Sequence, residues 1–559
     1  MTDSKPANGS QKHISPATLS LGVDVDGVMK QLGQLGRFHC RAFALLALVA
    51  VQVGMLHTTY IFLAGDVHYR CLIPECESSN SSEYSPPWLE GALPPPDHPL
   101  ERRCMRRAPA PAAPAGACDV NSFSEELQPC SSWVYESHDT IVAEFGLACS
   151  EWQRTLVGTV HNVGMLVSLP IIGYISDRWG RKPALVLSST LLGVIGTLKA
   201  FSVSYEMYVL VEFLETVAGA SAFPAAYILT IELLGQDKRV LTTAFLGIML
   251  VLGGLAFALL ARTFQYWRTF ILVAYPPSVL FVVYIYLLPE SIRWLLSKGR
   301  KEEAVEIIMN AAKLNKVTLS EETMRQLQEE KVKPTDDKKV EEEEGLWTQV
   351  LHSPIIMKRL AICSWWWMTC TFVFYGLAIN SVALAGDKYT NYMLVVSVEI
   401  IAVVTNALVL DRVGRKPTLL VAYCVCGVAC VALTFVPESL PWLSTCLYLL
   451  GKVAITQAFS GIYMYTSELF PTHARHSLLG FCSMVGRIGS IIAPQMPLAA
   501  LYVSWLPSVL FGGAALIAGA LMLTTPETLN TRLPDSIREA EDIAQQGKSK
   551  TNHMEMDVK

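Results

Sequence analysis

Long apolar runs recur along almost the whole chain, and they limit its fold more than any other feature. A helix crossing a bilayer needs about 20 apolar residues, because backbone polar groups in lipid must be satisfied within the segment. Twelve runs meet that need, at 42–63, 155–175, 184–201, 208–229, 241–260, 269–288, 360–378, 392–410, 418–436, 442–464, 478–498 and 505–523. Charged residues make up 17% of the chain, against about 25% in soluble domains, which excludes a soluble multi-domain enzyme. The 12 Trp, 20 Phe and 20 Tyr need burial and exclude a mostly disordered chain. A net charge of −5 gives no sign of nucleic-acid binding. The chain lacks a P-loop, an HExxH pair and a nucleophile elbow in a suitable context, so no enzymatic activity, cofactor or metal is expected.

The short loops set the orientation. Arg178, Arg181, Lys182, Lys238, Arg239, Arg412, Arg415, Lys416 and Arg475 lie on one side; only Arg262, Arg268 and Lys388 lie on the other. The basic side faces the cytosol by the positive-inside rule, and twelve spans put both termini there. The predicted organisation is a cytosolic segment 1–41, a six-helix half 42–288, a cytosolic central loop 289–357, a second half 358–524 and a cytosolic tail 525–559. The external loop 65–154 holds Cys71, Cys76, Cys104, Cys118, Cys130 and Cys149, and the glycosylation sequon at Asn80. An even cysteine count in an oxidising compartment reads as three disulfides with fifteen possible pairings; six free thiols are the alternative. Residues 298–314 read as a surface helix, 331–344 as a solvated charge run, and 1–20 and 545–559 as disordered tails.

The halves repeat one another. Asp177-Arg-Trp-Gly-Arg-Lys-Pro183 recurs as Asp411-Arg-Val-Gly-Arg-Lys-Pro417, 234 residues on. Thr230-Ile-Glu232-Leu with Arg239 recurs as Thr466-Ser-Glu468-Leu with Arg475, and Pro289-Glu-Ser as Pro526-Glu-Thr. Three ordered repeats imply two six-helix halves in the same orientation, an all-α membrane protein of twelve transmembrane helices resembling the major facilitator fold, with a solute site near the midplane between the halves. Asp177, Arg178, Arg181 and Glu232, with Asp411, Arg412, Arg415, Glu468 and Arg475, combine both charge signs at cytosolic helix ends, where pairing can hold one face shut. Gly180 and Gly414 suit a tight turn that a side chain would obstruct. Topology alone explains isolated basic residues but not the repeated motif.

These motifs resemble the organic cation/organic anion/carnitine transporter family (solute carrier family 22), a branch of that superfamily. The resemblance rests on residues 177–183, 289–296, 465–472 and 526–528, on the six-cysteine loop and on the large central loop, and it spans roughly residues 25–545. Residues 451–472 and 487–491 look most like the carnitine/organic cation branch. Sugar porters share the Pro-Glu-Ser and Gly-Arg-Lys elements but lack the cysteine-rich loop. Trp365-Trp366-Trp367 in span seven and the Pro/Ala stretch 108–115 depart from the family pattern.

An ionisable group inside a span costs a few kcal/mol and asks for a reason. Glu399 lies mid-span in span eight, Arg487 in span eleven and Lys452 in span ten. Glu399 is the candidate for a positive substrate group, or else a buried partner for Lys452 or Arg487. The resemblance implies an acidic residue here in carriers of cations and carnitine, and Arg at position 487 in anion and carnitine carriers. A guanidinium fork suits a carboxylate, and a structural ion pair is its alternative. Lys452 reads as a gate or structural residue. Trp367, Phe374 and Tyr375 on span seven offer ring faces to a quaternary ammonium, or pack against core or lipid. For Glu212, Glu215 and His161 an ordinary polar environment suffices. Together these features predict a plasma-membrane carrier of a small organic cation or zwitterion working by alternating access, with Na+ or H+ as a possible coupling ion. The rivals are an organic anion carrier using Arg487 with Lys452, and a non-transporting receptor on the same fold.

Overall fold

The computed structural model describes residues 25–541 except 34–35, 78–82, 96–98, 111–117, 235–238, 329–345, 438, 473, 530–533 and 535–536. Asn80, Lys238, the charge run 331–344 and both outermost tails lie outside the described residues. Among the described residues ten helices are long and apolar enough to cross a membrane: Arg37–Leu63, Glu151–Trp179, Tyr205–Glu232, Leu241–Thr263, Trp267–Leu287, Pro354–Ala383, Lys388–Val413, Arg415–Phe435, Pro441–Leu469 and Ser477–Tyr502. Two more complete the twelve expected spans. Leu506–Met522 is apolar but shorter, and Arg181–Lys199 carries basic residues at both ends. The spans are numbered here in chain order, with Arg181–Lys199 third and Leu506–Met522 twelfth.

Local chemistry sets several boundaries. Ser204, Ser353 and Asp387 accept the backbone N–H three residues on, capping spans four, seven and eight. Pro354 and Pro441 sit at helix starts, where a missing N–H costs nothing. In span six, Pro276 and Pro277 remove two donors, and the segment Pro276–Val283 tightens into a 3-10 helix.

The repeated motif forms the same clasp in both halves. Span two stops at Gly180 (φ 114°, ψ 164°) and span eight at Gly414 (φ 115°, ψ 160°), a region open essentially only to glycine. The next helix starts at once, and its first N–H groups need an acceptor. Glu290 takes the Arg181 N–H at 3.0 Å and the Lys182 N–H at 3.1 Å. Glu527 takes the Arg415 N–H at 3.1 Å and the Lys416 N–H at 3.0 Å. Each arginine then spans two helices. Arg181 binds Asp177 at 2.9 Å and Glu232 at 3.1 Å; Arg415 binds Asp411 at 3.1 Å and Glu468 at 3.3 Å. Every one of these pairs stays within one half. Burial pushes the Glu290 carboxyl up, and the backbone N–H groups of Ser291, Lys182 and Arg181 oppose that shift.

Beyond span one the chain forms a disulfide-bonded domain. Strand β1 (Tyr69–Cys71) pairs antiparallel with β4 (Trp133–Tyr135), and β2 (Met105–Pro109) with β3 (Phe123–Pro129). Of the fifteen pairings, the structure has Cys71–Cys130, Cys76–Cys118 and Cys104–Cys149. Tyr69 donates to Glu151 at the start of span two at 3.1 Å, and Glu144 accepts from Arg268 of span six at 2.9 Å. Burial works to raise the Glu144 carboxyl, but hydrogen bonds from Arg268 and Trp267 outweigh it and hold it below the usual value.

The halves meet at the ends of the spans beneath this domain. The Thr58 and Tyr392 hydroxyls are 2.7 Å apart, Gln495 donates to Thr159 at 2.7 Å, and Phe62 stacks on Tyr389 at 5.0 Å. One apolar cluster runs through both halves here, including Tyr60, Phe62, Phe257, Tyr375 and Tyr392. On the opposite face, Val28, Leu32 and Phe38 pack on Trp294 and Ile308 from the helices Ile292–Ser297 and Lys301–Asn315.

Two outcomes follow from this geometry. Peptide mapping without reduction should recover the three pairs above. Gly180→Ala should destabilise the protein by about 2–4 kcal/mol, read as a lower unfolding temperature. The added Cβ would sit 2.2 Å from Glu290 Oε2, in backbone geometry that costs about 1–3 kcal/mol for other residues.

Candidate functional site

Spans seven, eight and ten converge on one buried ammonium. Lys452, fully buried, donates to Glu399 Oε1 at 2.9 Å and to the Phe374 carbonyl oxygen at 3.2 Å. Its nitrogen lies 3.3 Å from the centre of the Phe374 ring, close enough for a strong cation–π contact. Phe374 packs on Phe459 at 5.5 Å, and Phe459 on Tyr463 at 5.9 Å. Lys452, Phe459 and Tyr463 repeat at helical spacing along one face of span ten. Tyr463 also meets Trp367 edge-on at 4.3 Å and remains 47% exposed, so the aromatic wall has an open side.

The span-seven residues divide by direction. Trp367 is buried, and its indole N–H donates to Thr466 at 3.1 Å. Trp366, 100° round the helix, bonds the Ala518 carbonyl in the core of the second half. Tyr375 reaches across to the first half, its hydroxyl 3.0 Å from His57 Nε2. Arg487 is half-buried and sits within electrostatic reach of His57 and Tyr463. Among the described residues no carboxylate lies within 4.0 Å of its guanidinium, and Glu399 is paired with Lys452 instead.

The first half holds a second charged group that the sequence reading passed over. Lys199 at the end of span three contacts Glu212 at 2.8 Å, Glu215 at 2.5 Å and the Tyr275 hydroxyl at 3.0 Å. His161 Nδ1 lies 2.7 Å from Glu212 Oε1. A small pocket lined by His57, His161, Glu215 and Thr216 lies beside this group. The signal was available: a lysine inside one apolar run and two acids in the next one require each other. His57, Phe459 and Tyr463 had no comparable signal, since a single polar or aromatic residue in a span specifies no partner.

The remaining motif residues lie far from the cage. Arg178 packs on Tyr174 and bonds its hydroxyl at 2.5 Å. Arg412 is exposed beside the clasp. Arg475 reaches the Phe470 carbonyl at 3.4 Å, beyond the end of span ten.

Residues 133–494 match the Major Facilitator Superfamily model. The chain is 31% identical over 93% of its length to an organic cation transporter protein of Drosophila melanogaster, covering 94% of that protein. It is 30% identical to solute carrier family 22 member 3 of Rattus norvegicus, over 93% of this chain and 96% of that one. Identity is also 30% to organic cation/carnitine transporter 2 of Mus musculus, over 92% and 93% of the two chains. Among solved structures, the proton:xylose symporter XylE superposes with a TM-score of 0.56 at 16% identity, over 91% of this chain and 100% of that one. A second structure of a D-xylose–proton symporter gives a TM-score of 0.56 at 14% identity, over 89% and 100%. By fold, by motif and by full-length similarity, the chain belongs to the major facilitator superfamily, in its organic cation, anion and carnitine transporter family, solute carrier family 22.

Proposed function

We propose that the protein is a plasma-membrane carrier that moves small organic cations or zwitterions by alternating access. One observation carries the reading: the chain's own ammonium, on Lys452, rests against a carboxylate, a carbonyl oxygen and an aromatic face. That set of contacts is what an alkylammonium substrate requires. An incoming ammonium competes with Lys452 for Glu399 and the ring of Phe374. Trp367, Phe459 and Tyr463 supply further apolar surface to its alkyl groups. Arg487, without a carboxylate of its own, receives the acidic pole of a zwitterion. The names of the relatives, which include organic cation and carnitine transporters, point the same way.

In this reading the motif face is cytosolic, both termini lie there, and the two halves take residues 42–288 and 358–524. The Arg181 and Arg415 clasps, with Arg178, Arg412 and Arg475 beside them, keep each half rigid as it rocks. The contacts Thr58–Tyr392 and Gln495–Thr159 close the opposite face. A second reading is favoured by one observation. Glu399 and Lys452 cancel, which leaves Arg487 as the net charge of the cage, and that suits an organic anion.

Uptake of tetraethylammonium, carnitine and succinate by charge variants at matched surface expression separates the readings. A charge-assisted hydrogen bond contributes about 1.5–3 kcal/mol, so losing one weakens apparent affinity roughly 10- to 100-fold. Glu399→Gln should weaken both tetraethylammonium and carnitine. Arg487→Gln should weaken carnitine and spare tetraethylammonium, and Arg487→Lys should restore little because the fork is lost. The double variant Glu399→Gln with Lys452→Gln removes the pair without leaving a buried charge, so a loss that persists there belongs to recognition and not to folding. Succinate uptake that vanishes in Arg487→Gln, with no uptake of the other two, would establish the anion reading.

The clasp role, which replaces the expected pairing that holds one face shut, carries its own test. Asp177→Asn should lower the maximal rate more than the affinity, because Asp177 lies at the motif face, away from the cage. Lost binding with normal turnover would contradict it.

A further inference from the structure

The group around Lys199 does not balance. Glu212 and Glu215 bring two carboxylates to one ammonium, in a site where all three side chains are essentially inaccessible to water. Two carboxylates on one ammonium leave one excess negative charge in a low-dielectric interior, which is unfavourable. His161 is itself 2% exposed. Its Nδ1 is engaged by Glu212, while its buried Nε2 has no hydrogen-bond partner among the described residues.

The other neighbours add no positive charge at the acids. Tyr208 and Tyr275 present their ring faces to Lys199 from spans four and six. From span one, Tyr60 stacks on His161 at 4.9 Å and His57 stands 6.1 Å away, centre to centre. Arg487 of span eleven acts on His57 from across the interface between the halves.

We infer that the Glu212–Glu215 pair around Lys199 holds one exchangeable proton and gives it up when a cationic substrate enters the cage, so that the protein exchanges protons for organic cations. The proton supplies the missing charge, held between the two carboxylates. A route for the coupling is present. His161 faces His57, His57 bonds the Tyr375 hydroxyl at 3.0 Å, and Tyr375 packs on Phe374 at 5.3 Å, under the Lys452 ammonium. A second positive charge arriving there raises the cost of keeping the first. The His57–Tyr375 bond joins the two halves and breaks if they part on this face. Proton release is then tied to the state of the carrier. The exchange itself is simple: one carboxyl O–H bond breaks, the proton passes to water as the halves part, and the positive charge it removes is replaced by that of the substrate in the cage. The inference rests on the proposed transport of cations, and its two measurements separate the failure of either.

In proteoliposomes, tetraethylammonium uptake by the wild type should rise several-fold when the lumen is more acidic than the bath. Glu215→Gln balances the group, so whatever uptake it retains should not respond to the gradient; Glu212→Gln is the second variant if that one misfolds. The other measurement needs no substrate. If the folded protein holds a proton that the unfolded chain releases, stability falls as pH rises. The wild-type unfolding temperature in detergent should drop by about 2 °C per pH unit between pH 6 and 9, and that of Glu215→Gln should stay level. Uptake indifferent to the pH gradient, or driven by sodium instead, overturns the exchange. A pH-independent difference between wild type and variant overturns the proton site. If tetraethylammonium is not carried at equal pH, the cation reading fails for that solute while the melting series still decides whether the proton is there.

Discussion

A charge placed within a bilayer costs several kcal/mol unless something near it answers it, and the interior of this protein is arranged around that constraint. Lys452 is answered by Glu399, by a carbonyl oxygen and by a ring face. Lys199 is answered twice over, by Glu212 and Glu215. Arg487 alone among these has no carboxylate within 4.0 Å among the described residues, and it stands beside the aromatic wall at the interface between the halves. In the proposed function, the differences between the balanced pair, the overbalanced group and the unanswered cation tell one ionic solute from another.

Rigidity of the halves comes from a different place. At the motif face a glycine with positive φ lets one span end and the next begin without a loop. The freed N–H groups are taken by a glutamate from the far end of the same half. The arginine after the glycine then ties a third helix in. The clasp is built twice from equivalent residues and ties together helices of one half only, which in the proposed cycle lets each half move as one body. The interface between the halves is held by hydroxyl contacts, ring stacking, a shared apolar cluster and the Arg262–Asp387 pair at 3.8 Å.

Much of this was legible in the sequence. The apolar runs gave the spans because a bilayer imposes one length on all of them, and the repeat gave two halves because the motif recurs at nearly constant spacing. Lys199, inside the third run, drew no reading of its own although two acids stand in the next run. What the sequence could not supply was adjacency between helices. Helical spacing puts Trp367 and Phe374 on one face, but only packing decides that Lys452 and not Arg487 meets Glu399. Trp366 and Trp367 are neighbours in sequence, yet one enters the core of the second half and the other joins the wall of the cage. The six cysteines fixed a disulfide-bonded domain, while their partners depend on two antiparallel pairings of short strands.

The central claim is that two rigid halves, each locked by its clasp, rock about a charged cage. Spin labels at Trp179 and Val413, both exposed at equivalent ends of spans two and eight, report the separation of the halves at the motif face. Labels at Trp179 and Tyr286, exposed within one half, report its rigidity. Electron–electron distance measurements in lipid nanodiscs should give two populations for the first pair, shifting with added tetraethylammonium or carnitine, and one unchanging population for the second. A single fixed distance between the halves under every condition, or equal movement of both pairs, would contradict the account.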